Sequence, residues 1–260
     1  MIRLRTDFFA ESLGMGTSMV VLMPQAASGI GMEGADATSG SAADESGVPV
    51  LYLLHGLSDD CTIWERRTSI ERYATEKGIA VVMPEVRRSF YTDEAVGEAY
   101  WTFVAEELPQ LVAGTFRVST AREDTFVAGL SMGGFGAFKL ALNHPERFAA
   151  AASLSGAVDL TSMDLDWTGT LAQRVWDGRE IADTADDLLG LLGRRDPAEL
   201  PALFLDCGTE DQLITQNERF LAAAEDAGVD VTSRLRPGAH TLDFWDEGVQ
   251  DVLDWLPIRG

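Results

Sequence analysis

Histidine, cysteine and positive charge are all scarce in these 260 residues. Three histidines leave few candidates for any role that needs an imidazole. The two cysteines, Cys61 and Cys207, stand in no CxxC or metal-ligand spacing, which argues against a disulfide framework and a zinc site. Lysine and arginine total 20 against 42 aspartates and glutamates, a net charge of −22. Such a surface repels the phosphates of nucleic acid and the face of an anionic membrane, so a small-molecule partner is expected. No apolar run approaches the ~20 residues of a membrane span, and the opening "MIRLRTDFFAESLG" lacks the apolar stretch of a signal peptide. A cytoplasmic location is the expectation.

What is present is a rhythm. Short runs rich in Val, Ile and Leu recur as "SMVVLMP", "VPVLYLLHG", "IAVVMPE", "DTFVAGLS", "AAAASLSG", "PALFLDCG" and "VDVTSRLRPG". Continuous apolar runs of this kind predict buried, mostly parallel strands. Between them "RTSIERYATEKG" and "EAYWTFVAEELPQLV" carry apolar residues at helical spacing, and "NERFLAAAEDAG" ends on a glycine suited to a helix C-terminus. The alternation predicts one α/β domain over residues 1–260, with helices on both faces of the sheet. Two segments break the rhythm. Residues 25–47 are built from Gly, Ala, Ser and acids and predict a flexible loop, while residues 159–196 predict a helical cap segment.

Gly129-Leu130-Ser131-Met132-Gly133 matches G-x-S-x-G, a serine on a sharp strand-to-helix turn. An apolar strand precedes it and the helix-compatible "GGFGAFKLALNHP" follows, as that motif requires. A serine hydroxyl needs a base to take its proton and an acid to orient the base. In the chain order of such enzymes both partners lie downstream. His55 precedes the serine, and His144 closes the helix behind it and is carried away, so His240 in "RPGAHTLDFW" is the candidate base. For the acid, "LFLDCGTEDQLI" offers Asp206 within or at the end of a strand, and Glu210 and Asp211 in the loop after it. Position favours the loop pair without choosing between them. Oxyanion donors are expected from the backbone N–H of Met132, at the start of a helix, and of Leu57, where Gly56 allows the bend. His55 is expected to shape that loop by hydrogen bonding.

Seven blocks, among them "LYLLHGLSDDCTIWERRTSIERYA", "VVMPEVRRSFYTD", "REDTFVAGLSMGGFGAFKLAL", "CGTEDQLI" and "GAHTLDFWDE", together resemble the tributyrin-esterase branch of the esterase D-like esterases. Relatives in that superfamily include S-formylglutathione hydrolases, feruloyl and acetylxylan esterases, and mycolyltransferases of the antigen 85 type. The resemblance implies a cofactor-free α/β-hydrolase cleaving short-chain acyl esters, often oligomeric. It also implies Ser131 as nucleophile, His240 as base, Asp211 as acid, and Leu57 and Met132 as oxyanion donors, which breaks the tie with Glu210. Trp64, Phe90 and Tyr91, with Trp167 and Trp176 of the cap segment, are candidates for the acyl pocket, against the alternative that they complete a core. A thioesterase of the S-formylglutathione type and a sugar-ester deacetylase or feruloyl esterase are the nearest alternatives, with an acyltransferase behind them.

Overall fold

The computed structural model describes residues 1–25, 47–163 and 169–259. The expected flexible loop therefore lies outside the described residues except for its ends, and so does Trp167. Among the described residues eight strands form a single sheet: β1 (Ile2–Ala10), β2 (Met15–Met23), β3 (Val50–Leu54), β4 (Ala80–Pro84), β5 (Thr125–Leu130), β6 (Ala150–Leu154), β7 (Ala202–Gly208) and β8 (Val231–Arg236). Their spatial order is β1-β2-β4-β3-β5-β6-β7-β8. The pairs β1 with β2 and β2 with β4 are antiparallel; every pair from β4 through β8 is parallel.

Nine helices occur among the described residues: α1 (Ile63–Arg67), α2 (Ile70–Lys77), α3 (Tyr100–Thr102), α4 (Leu108–Thr115), α5 (Met132–Asn143), α6 (Thr170–Trp176), α7 (Leu188–Arg194), α8 (Ile214–Asp226) and α9 (Leu242–Trp255). The apolar strands bury both faces because neighbouring side chains point to opposite sides. Along β3, Val50, Tyr52 and Leu54 enter one apolar cluster, with residues of α4, α5, α7 and α8. Leu51 and Leu53 enter a second, with α1, α2 and α9.

Three details depart from the sequence reading. β1 was not among the expected strands; it is an edge strand, half covered, whose apolar positions are interleaved with arginines and an aspartate. The expected helix over residues 98–112 is broken by a π-helical turn at Phe103–Glu107. Pro109 has no N–H to offer the Ala105 carbonyl, which instead accepts a hydrogen bond from the Arg147 guanidinium. Among its described residues, the segment 159–196 is helical only at a 3₁₀ turn at Leu160–Ser162 and at the short α6 and α7, with another 3₁₀ turn at Pro197–Glu199 just beyond it. Asp187 caps α7 by accepting from the Gly190 N–H at 2.9 Å.

Because β3 and β5 to β8 run in parallel, their carboxyl ends reach the same edge of the sheet. The loops that leave that edge carry residues 55–57, 131, 155 and 209–211, and the return from β8 carries His240. No helix of the described residues is long and apolar enough to cross a membrane.

Candidate active site

Ser131 ends β5 and starts α5 with φ 53° and ψ −116°, a backbone state that a residue with a side chain rarely adopts. Holding it costs about 1–3 kcal/mol, which the surrounding structure must supply. The close packing explains the glycines on either side. A Cβ on Gly129 would lie 2.3 Å from the Gly133 carbonyl oxygen, and one on Gly133 would lie 2.3 Å from that of Leu54. Both obstacles are backbone, so neither can swing away. Gly136, one turn into α5, faces a side chain instead: a Cβ there would meet the Tyr91 ring at 2.5 Å.

The turn is anchored by its own backbone. The Ser131 N–H donates to the Leu154 carbonyl of β6 at 2.9 Å, and the Ala157 N–H donates to the Ser131 carbonyl at 3.2 Å. This leaves the side chain facing the loop that carries His240. Ser131 Oγ lies 3.0 Å from His240 Nε2. On the other side of the ring, His240 Nδ1 lies 2.8 Å from Asp211 Oδ2 and 3.0 Å from Oδ1. Three residues far apart in sequence thus join in one hydrogen-bonded chain.

Asp211 is shielded from solvent while His240 keeps 22% of its side chain exposed. Burial alone would push the Asp211 carboxyl up. Hydrogen bonds from His240 and from the Leu213 N–H outweigh it and hold the carboxyl below its ordinary range. An ionised acceptor at Nδ1 keeps the proton on that nitrogen, so Nε2 is free to accept the serine proton. The Trp245 ring stands perpendicular to the imidazole with centroids 4.7 Å apart, packing its flank.

The other two acids of the same block do different work. Asp206 is fully buried within β7 and pairs with Arg236 at 3.0 Å, away from His240. Glu210 is exposed and accepts from the Gly238 N–H at 2.5 Å, while its own N–H donates to the Gly238 carbonyl at 2.9 Å. Glu210 therefore fastens the loop of His240 to the loop of Asp211.

Met132 is the first residue of α5, so its N–H has no intrahelical partner and shares the positive end of the helix. Leu57 follows Gly56 in the loop after β3. Among the described residues neither N–H meets a hydrogen-bond acceptor. His55 shapes this loop from beneath: its Nε2 accepts from the Val86 N–H at 3.1 Å, which places the proton on Nδ1, 2.8 Å from the Gly56 carbonyl.

His144 caps α5 at its far end, stacked on Trp101 with centroids 5.6 Å apart and 3.5 Å from Glu146. The aromatic candidates for an acyl pocket require correction. Trp64 belongs to the α1, α2 and α9 layer, where its Nε1 donates to the Leu54 carbonyl at 3.1 Å. Phe90, Tyr91 and Trp176 belong to the opposite layer, and Phe90 packs against Trp176 at 5.2 Å. All four are 5% exposed or less, because each completes a layer of the core rather than standing at an open wall.

Two residues outside the sequence-based expectations form a buried ion pair. Lys139 is a fully buried cation on α5, and Asp186, its ion-pair partner, comes from the segment before α7. A lone lysine inside the otherwise apolar "GAFKLAL" was the available signal. That signal is weak because a charge on a helix is ordinarily solvated.

A strained serine bonded to a histidine that is itself held by a buried carboxylate, at the carboxyl edge of a doubly covered sheet, defines a serine hydrolase of α/β-hydrolase fold. Comparison with known proteins agrees. The family described as "Putative esterase" matches residues 39–255, and the chain belongs to it. It is a carboxylic ester hydrolase. The acetyl esterase of Caldicellulosiruptor saccharolyticus is 25% identical over 265 residues, covering 97% of both proteins. Among solved structures, the fluorophosphonate-binding serine hydrolase F of Staphylococcus aureus superposes with a TM-score of 0.87 at 30% identity, covering 100% of this chain and 99% of its own. The S-formylglutathione hydrolase of the same organism gives 0.80 at 29%, covering 98% of each.

Proposed function

We propose that this protein is a serine carboxylesterase of the tributyrin-esterase branch, hydrolysing short-chain acyl esters through an acyl-enzyme. The observation that carries the reading is the chain of hydrogen bonds from Asp211 through His240 to Ser131, at 2.8 and 3.0 Å. His240 Nε2 takes the proton from Ser131 Oγ as the oxygen bonds to the ester carbonyl carbon. The carbonyl oxygen becomes an oxyanion, received by the N–H groups of Leu57 and Met132. Collapse of this intermediate expels the alcohol, which leaves with the proton held by His240. Water then gives its proton to His240, attacks the acyl carbon and releases the acid, restoring Ser131. Asp211 stabilises the imidazolium at both stages. The chain works as one domain with no cofactor in these steps, and α7, from the expected cap segment, packs beside α5.

The test is a rate profile of the purified protein on p-nitrophenyl esters from acetate to decanoate, with S-formylglutathione and an acetylated xylo-oligosaccharide alongside. Highest kcat/KM at acetate to butyrate is expected. Slow turnover of every p-nitrophenyl ester with rapid turnover of S-formylglutathione would move the protein to the thioesterase reading. That second reading draws on the likeness to the staphylococcal S-formylglutathione hydrolase.

His144 supplies the internal comparison. His144→Ala is expected to leave kcat within about twofold, while costing about 1 kcal/mol or less through the lost stack on Trp101. Steady-state kinetics and a thermal melt on the same preparation check both halves.

A further inference from the structure

The segment Ser89–Thr92 carries two consecutive bulky residues in the left-handed region, Phe90 and Tyr91, each with φ 51°. Neither is a glycine or an asparagine, so intrinsic preference does not favour that conformation. It persists because a hydrogen bond from within the turn and tertiary contacts together determine it. The Tyr91 N–H donates to Ser89 Oγ at 3.1 Å, its ring packs over Gly136, and its carbonyl accepts from Lys139 Nζ at 2.8 Å.

Lys139 spends its three protons within this one place. Beyond Tyr91 they reach Thr92 Oγ1 at 2.9 Å and Asp186 Oδ1 at 2.5 Å. Asp186 in turn accepts from Trp176 Nε1 at 2.9 Å, so the segment before α7 is tied to the same cation. The ammonium also lies 4.4 Å from the centre of the Trp101 ring. An apolar residue of similar volume would fill this space without the cost of burying two charges. What it would lack is the fixed hold on the Tyr91 carbonyl.

The hold continues to the loop of the oxyanion donor. Tyr91 Oη donates to the His55 carbonyl at 2.9 Å, two residues before the Leu57 N–H. His55 fixes the following carbonyl, of Gly56, through its own side chain. Lys139 stands on α5, the helix whose first N–H is that of Met132. One ion pair is thus connected rigidly to both expected oxyanion donors, by the helix on one side and by Tyr91 on the other.

We propose that Lys139, held by Asp186, is a positioning residue for the oxyanion loop, acting through the Tyr91 carbonyl and hydroxyl to keep the Leu57 N–H aimed at the Ser131 turn. The proposal rests on the reading of Leu57 as an oxyanion donor. It implies that loosening the clamp weakens binding of the transition state more than binding of the ester.

Tyr91→Phe removes only the hydroxyl that holds the His55 carbonyl, and Lys139→Met removes the charge at nearly constant length. Both are assayed on p-nitrophenyl acetate, and their affinities are measured for a trifluoromethyl ketone, whose adduct with serine carries an oxyanion. Amide hydrogen exchange is followed over residues 53–58. For Tyr91→Phe the expected result is a fall in kcat of about tenfold with KM little changed, a parallel loss of ketone affinity and faster exchange in the loop, as for partial loss of one oxyanion donor. Lys139→Met is expected to do the same more strongly. If Lys139→Met does not fold, Tyr91→Phe carries the test alone. Unchanged kcat and ketone affinity in folded Tyr91→Phe overturn the proposal, whether or not exchange is faster. A parent protein that fails to form the ketone adduct would overturn it together with the underlying reading of Ser131, an outcome distinct from loss of the clamp alone.

Discussion

Ser131→Ala is expected to lower kcat on short-chain esters by about four to six orders of magnitude while leaving the protein folded. Each factor of ten is about 1.4 kcal/mol of transition-state stabilisation, so the loss is far larger than packing changes around a hydroxyl could produce. The whole covalent route depends on Oγ, and the residual rate is what binding and the oxyanion donors supply to attack by water. A kcat within tenfold of the parent would remove Ser131 from the mechanism. Labelling of the parent by a fluorophosphonate, and its absence in Ser131→Ala, checks the same point without a substrate.

The strain at this position gives a second, independent reading from the same residue. Glycine tolerates φ 53° and ψ −116° without steric cost, so Ser131→Gly relieves the turn. Relief of about 1–3 kcal/mol is partly offset by the larger entropy of a glycine in the unfolded chain, leaving a net gain of about 1 kcal/mol. For a chain of this size that is about 2–4 °C in Tm, read by calorimetry. An inactive protein more stable than its parent is the expected outcome. An unchanged or lower Tm would mean that the turn is not strained in solution.

Asp211→Asn is the other large effect, expected to cost kcat about three to four orders of magnitude. The substitution keeps the size of the side chain but allows an amide N–H to face His240 Nδ1. The imidazole then carries its proton on Nε2, where it can no longer accept from Ser131. Glu210→Gln, one residue away, is expected to stay within a few-fold of the parent, since its amide oxygen can still accept from the Gly238 N–H. Equal losses in the two variants would refute the choice of Asp211 over Glu210.

The acid also leaves a mark on stability. Its carboxyl titrates below the ordinary value of 3.8 in the folded protein, so its stabilising contribution is complete above that pH and is lost as pH falls through the lower folded value. Thermal melts of parent and Asp211→Asn should therefore converge as the pH is taken below 4. Divergence in that range would mean that hydrogen bonding to His240 and Leu213 does not outweigh burial.

Much of this protein could be read directly from residue order. Local spacing carries a strand, a tight turn and a helix around Ser131, and a strand's period of two with both faces apolar carries a doubly covered sheet. These are properties of neighbours in sequence, which sterics and solvent sort without reference to the rest of the chain. The choice between Glu210 and Asp211 was not local. Adjacent residues in one loop point in different directions: spacing left the pair open, the family resemblance implied Asp211, and the fold brings Asp211 to His240 while Glu210 clasps Gly238.

The aromatics fall on the same side of that division. Trp64, Phe90, Tyr91 and Trp176 have a composition that suits a pocket equally well as a core, and only the packing of layers settles where each ring lies. Lys139 is the clearest case. Its sequence neighbours say that it should be buried and its charge says that it should not, and the contradiction resolves only when Asp186, distant in sequence, is brought to it by the fold. Periodicity reports which face is covered, whereas partners for a charge are decided by tertiary contact, because the free energy of burying an ion depends on atoms that sequence spacing does not locate.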